Sequence, residues 1–167
     1  MILFRCVGDL ELKRILLGET VYGYYNCKTE ELNTCHKNNV LCFFAEKAAW
    51  IDSKHKYILV LDINEKKLEL GEGRYFAPSN FRKTKIWSGR DGYDEILVKE
   101  AYKTKYTPKD VKGVFCLNHL DDSELNHLID AKDYSFYIDK YSEKANIWKS
   151  IYSFLDTNLG INKGGKR

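Results

Sequence analysis

A chain of 167 residues is the size of one domain, and with 44% apolar and 31% charged residues it should fold rather than stay disordered. No apolar run approaches the roughly 18 residues of a membrane span, and no basic segment followed by a long apolar one opens the sequence. Neither a membrane helix nor a secretory leader is therefore expected. The net charge of +3 lies entirely in residues 132–167, which hold seven Lys+Arg against four Asp+Glu.

The pattern opens with a short strand over residues 2–5 (ILFR). A helix over 9–15 follows, with Asp9 as its cap and Gly18 to close it. Residues 19–39 are polar and tyrosine-rich without clear period, and read as loop or short strand. Residues 40–44 (VLCFF) favour a strand and run into a helix-like 46–50. The strongest strand signal is the nearly unbroken apolar run 57–63 (YILVLDI). After a turn at 64–67 and a short strand-like 68–70, a glycine-rich loop leads to a strand over 95–98 (EILV). Thr107-Pro108 marks another turn before a last strand over 113–117 (GVFCL). A short helix over 121–131 comes next, then a longer one capped by Ser142. Its residues Ile147, Trp148, Ile151, Phe154, Leu155 and Leu159 share one face, and Gly160 ends it. Strands in the middle and helices at the ends give an α+β class in a single domain over 1–167. Residues 161–167 read as a solvated basic tail.

Five cysteines occur at irregular spacing, three of them inside apolar runs. They point to free buried thiols, hence a reducing compartment and a cytoplasmic location. No GxGxxG, GxxxxGK[ST] or HExxH is present. Cys27 and the Cys35-His36 pair offer donors at a spacing that matches no zinc motif, so no metal is expected. His119 and His127 sit in polar context and make no case for a cysteine–histidine nucleophile.

Three separated elements carry chemistry in a recognisable order. Arg5 ends the first strand; the second strand enters "FFAEKAAW" (43–50) with aromatics at both ends; Glu95 opens a later strand after a long loop. In this order the sequence resembles the ADP-ribosyltransferase superfamily, the fold of cholera- and diphtheria-type toxins and of poly(ADP-ribose) polymerases. That family carries an arginine or histidine on a first strand, a serine- or tyrosine-bearing second strand, and a catalytic glutamate starting a later strand. "FFAEKAAW" is similar to the polymerase-type segment whose aromatics hold nicotinamide. "DEILVKEAYKTKYTPKDVKGVF" (94–115) is similar to the glutamate strand of small bacterial and phage members. The resemblance covers residues 2–117 and implies a split, mixed β-sheet core, NAD as co-substrate, and transfer of ADP-ribose to a macromolecular acceptor with release of nicotinamide. Residues 118–160, read as carboxy-terminal helices, lie beyond it.

The resemblance also implies roles. Breaking the bond between nicotinamide and ribose passes through an oxocarbenium-like transition state, which one carboxylate beside the ribose can stabilise; Glu95 is that carboxylate. Arg5 would bind the ribose or diphosphate through its planar five-donor cation, with a structural salt bridge as the competing reading. Phe43, Phe44 and Trp50 would wall the cationic nicotinamide ring, with core packing as the alternative. Phe43 stands where the polymerase class has tyrosine. Tyr93, two residues before Glu95, stands where arginine-modifying members have Glu or Gln, which argues against arginine as acceptor.

The loop before the glutamate strand recognises the target in this family. Here residues 74–90 carry five basic side chains and no acid, interleaved with Phe76, Phe81 and Trp87. Such a surface suits an acidic protein face or a nucleic acid. The alternative is a non-catalytic α+β module that binds nucleic acid or a partner protein through this loop. A third class is a metal-free nuclease using Glu95 as base.

Overall fold

The computed structural model describes residues 2–22, 41–44, 56–64, 95–98, 105–117, 123–140 and 146–162. In chain order the elements are β1 (Ile2–Val7), α1 (Asp9–Leu16), β2 (Val21–Tyr22), β3 (Leu41–Phe44), β4 (Tyr57–Asp62), β5 (Glu95–Val98), β6 (Lys105–Tyr106), β7 (Val111–Cys116), α2 (Ser123–Asp130), β8 (Tyr137–Asp139) and α3 (Ile147–Leu159). The strands at 2–5, 40–44, 57–63, 95–98 and 113–117 all occur, within two residues at each boundary. The helices at 9–15 and 121–131 are present as well. The expected elements at 46–50 and 68–70, the basic loop 74–90 and residues 163–167 of the expected 161–167 tail lie outside the described residues, while Ile161 packs against the core and its amide donates to the Leu155 carbonyl.

Six strands make one mixed sheet in the order β5-β3-β1-β4-β7-β8, while β2 and β6 pair separately as a two-stranded ribbon. Every pairing in the larger sheet is antiparallel except β7 with β8. The central strands β1 and β4 are apolar at successive positions because both of their faces are covered. The odd-numbered β1 residues Leu3 and Val7 pack with Leu12, Ile15 and Leu16 of α1 and with Leu125 and Ile129 of α2. The even-numbered Phe4 and Cys6 pack with Ile58, Val60 and Phe115 beneath Trp148, Ile151 and Leu155 of α3. One sheet thus divides two apolar cores, and the period-2 alternation of β1 assigns its residues between them.

Two helix ends show why the chain turns where it does. Asp9 is the first residue of α1 rather than its cap; Gly8 holds the cap position with extended backbone. The Asp9 carboxylate instead accepts hydrogen bonds from Lys56 Nζ (2.6 Å) and Tyr57 Oη (2.8 Å), tying the helix start to β4. At the other end Gly18 takes φ +81°, and the Gly18 and Glu19 amides donate back to the Ile15 and Arg14 carbonyls, a Schellman closure. Gly160 closes α3 in the same left-handed region. That helix starts at Ile147 with Asn146 before it, and Ser142, the expected cap, lies outside the described residues.

The short parallel strand β8 was not foreseen. A three-residue strand between two helices gives too little alternation to stand out in the sequence. Of residues 118–160, expected as carboxy-terminal helices, the described part holds α2 on the α1 face of the sheet, β8 at one edge and α3 on the other face. No helix among the described residues is long and apolar enough to cross a membrane.

Candidate functional site

The three motif-bearing strands are neighbours. β1 pairs antiparallel with β3, and β3 pairs antiparallel with β5, although 33 and 50 residues of chain separate them. Phe4 stands opposite Phe44, and Phe44 opposite Glu95, so these three backbones form one row across the sheet. At about 4.8 Å per strand, the Glu95 backbone lies on the order of 10 Å from that of Phe4. Phe43 stands one residue along, opposite Ile96. Trp50 lies outside the described residues.

Arg5 does not share the Glu95 row. It follows Phe4 in β1 and leaves on the α1 face, where it is 1% exposed. Its Nε and Nη2 donate to the two carboxylate oxygens of Glu11 at 2.7 and 2.9 Å, a two-pronged ion pair inside the core. Tyr106 of β6 donates its hydroxyl to the same carboxylate. Burial, reinforced by the Glu11 charge, holds the Tyr106 hydroxyl well above the usual tyrosine range, with Arg5 opposing. The guanidinium expected to meet the ribose or diphosphate is therefore engaged by α1.

Glu11 is a site residue the sequence reading passed over, though a signal was there. In α1 it shares the buried stripe of Leu12, Ile15 and Leu16, where the helical period calls for an apolar side chain. Arg5 likewise interrupts the odd-numbered apolar set of β1. Two opposite charges, each at a position the pattern assigns to the core, were legible as a buried pair.

Beside Arg5 in β1, the Cys6 thiol is pushed up to about 12 by burial, with the Arg5 charge pulling the other way. Cys116 of β7 is likewise raised to about 12, by burial and then by Asp139. Both are free thiols held protonated, the opposite of what a nucleophile needs. No cluster of three metal-ligating side chains occurs among the described residues.

A groove of about 450 Å³ lies at the opposite edge of the sheet, between Tyr137 and Asp139 of β8 and Ser150, Ser153 and Thr157 of α3. None of the sequence motifs falls there. Compared with family models, with curated proteins and with solved structures, the chain matches none.

Proposed function

We propose that the chain is an NAD-dependent ADP-ribosyltransferase, in which Glu95 stabilises the developing positive charge on the ribose as nicotinamide leaves. The observation that carries this reading is the adjacency of β1, β3 and β5. Residues from three motifs far apart in the sequence lie on three neighbouring strands, with Phe4, Phe44 and Glu95 in register. A co-substrate lying across those strands reaches a carboxylate and aromatic positions at once, the combination that nicotinamide cleavage requires. Phe44, the β3 residue in register with Glu95, and Trp50 serve as the nicotinamide wall. Arg5 lies one residue off the Phe4–Phe44–Glu95 row and pairs with Glu11 on the α1 face, so in this reading it supports the strand and does not touch the co-substrate. The acceptor is a macromolecule with an acidic surface, protein or nucleic acid, selected by the basic loop 74–90.

The deciding experiment is nicotinamide release from NAD by the wild type and by Glu95→Gln. The glutamine variant should fold normally and lose at least about a hundredfold in rate, since one preorganised electrostatic contact is commonly worth 10²–10³. Equal rates in the two proteins would remove Glu95 from catalysis, and no release by the wild type would remove the activity.

One observation favours a second reading, a non-catalytic binding module: the burial of Arg5 against Glu11 is what a purely structural arginine shows. Salt-sensitive binding of a nucleic acid or an acidic partner, with no NAD turnover, would select it.

A further inference from the structure

The groove between β8 and α3 has two walls of different chemistry. Tyr137 and Asp139 are two residues apart in β8 and so leave it on one face. Across from them Lys149, Ser153 and Thr157, spaced by four, form a ridge along α3, with Ser150 beside it. At 1.5 Å per residue that ridge runs about 12 Å.

Two features set this groove apart from an ordinary solvated edge. The Tyr137 ring is 48% exposed, yet it stacks on Phe154 with centroids 5.1 Å apart and leans on Phe115 at 5.8 Å. An aromatic ring held on one side and half open is a platform that needs no further ordering when a flat ligand arrives. The second feature is on α3. Lys149 has no ion pair, and the hydroxyls of Ser150, Ser153 and Thr157 have no hydrogen bond, among the described residues. Helical serines and threonines can turn back to the carbonyl four residues earlier. None of these three does, whereas Asn158 beside them donates to the Phe154 carbonyl. A cation and three hydroxyls thus stand together with their hydrogen-bonding capacity open to whatever enters.

We propose that this groove binds a nucleotide with a single phosphate: the base stacks on Tyr137, the phosphate takes Lys149 and the α3 hydroxyls, and the sugar hydroxyls donate to Asp139. Each part of the ligand answers one part of the wall. A tyrosine platform accepts any base through its π-face. An ammonium amid hydroxyl donors is matched by an anion, and a neutral sugar would leave Lys149 unused. One lysine set against one carboxylate balances a single phosphate and not a triphosphate. The volume of about 450 Å³ is in the range of small-ligand sites. The site lies at the β8 edge, and Glu95 lies on β5 at the other end of the strand order, so it is separate from the transferase reading and does not depend on it.

Titration calorimetry of the full chain with adenosine 5′-monophosphate (AMP) and with adenosine tests the proposal. The wild type should bind AMP more tightly than adenosine, with an affinity that falls as salt rises. Tyr137→Ala should weaken AMP about tenfold through lost stacking, and Tyr137→Phe, which keeps the ring, should bind like the wild type. Lys149→Gln should weaken AMP about fivefold, the order of one exposed ion pair, and leave adenosine unchanged. The Lys149 side chain is exposed, so that variant carries the test if Tyr137→Ala does not fold. A single-stranded adenine hexamer identifies the source. Tighter binding of the hexamer than of AMP, with the same losses, means a nucleotide within a strand; tighter binding of AMP means a free one. The proposal is overturned if neither AMP nor the hexamer binds, if AMP and adenosine bind the wild type equally, or if Tyr137→Ala and Lys149→Gln both leave AMP affinity intact. AMP affinity lost in Glu95→Gln and kept in those two variants would put the nucleotide at the other edge of the sheet, which also overturns it.

Discussion

Removing the Glu11 carboxylate should be among the most damaging single changes available to this fold. Arg5 is 1% exposed and Glu11 7%, so Glu11→Ala takes from a buried guanidinium the carboxylate that grips it on two prongs, and from the Tyr106 hydroxyl an acceptor. Breaking a buried pair from one side costs about 3–5 kcal/mol, against a total stability of roughly 5–15 kcal/mol for an ordinary domain. With a urea dependence near 2 kcal/mol per M, the unfolding midpoint should fall by about 1.5–2.5 M. Two further variants isolate the cause. Arg5→Met with Glu11→Leu removes both charges and should recover most of the loss, because the pair's desolvation cost disappears with its attraction. Lys13→Ala breaks the exposed pair to Glu124, whose partners are 36% and 64% exposed, and should cost less than about 1 kcal/mol. Equilibrium urea unfolding followed by circular dichroism measures all four proteins. A Glu11→Ala midpoint no lower than that of Lys13→Ala, or a double variant worse than the single, would refute the reasoning.

Other consequences are equally open to measurement. A Cβ at Gly113 would sit 3.0 Å from the Phe115 ring and 3.2 Å from the Phe154 ring. Gly113→Ala should therefore destabilise by about 1–3 kcal/mol through overpacking, and an unchanged melting temperature would show that these rings yield. Both Cys6 and Cys116 are raised from 9.0 to about 12 in the folded chain. The unfolded chain therefore loses those protons first: stability is full below pH 9 and falls as pH rises from 9 toward 12, by about 1.4 kcal/mol per pH unit for each thiol. Urea midpoints at pH 8 and pH 10.5 read that slope, and equal midpoints would contradict it. Replacing Arg82, Lys83 and Lys85 together by Ser should depress modification of the acceptor while sparing NAD hydrolysis by water, and equal losses of both would assign the loop to the NAD site.

The central sheet was legible because its strands are apolar runs bounded by turn residues, and α1, α2 and α3 because their buried faces repeat at the helical period. Boundaries shifted where packing outlasted pattern: β1 runs on through Cys6 to Val7, and β7 begins at Val111, two residues before the glycine expected to open it. The cap assigned to Asp9 failed because a carboxylate beside Lys56 and Tyr57 has better partners than its own helix's amides. Of the site, the sequence yielded the three motifs and their order. Strand adjacency follows only from pairing across dozens of intervening residues, which local pattern does not encode. A structural salt bridge was one of the two readings of Arg5, and it is the one observed; its partner was not named, because Glu11 stands out only as an interruption of the buried stripe of α1.

The position of β1 has a consequence for how the molecule assembles. It lies inside the sheet, yet it precedes both of its partners, and β4 follows only at Tyr57–Asp62. During synthesis this six-residue, largely apolar strand therefore waits with one edge open until β3 has been made and with the other open until β4 has, more than sixty residues along. Pairing β1 with β4 closes a long loop before any of the sheet can be completed, and such non-local closures slow folding. Over that interval the segment ILFRCV is a template for intermolecular pairing. The Arg5 charge, a liability once buried, interrupts that template at its centre while the chain is still unfolded.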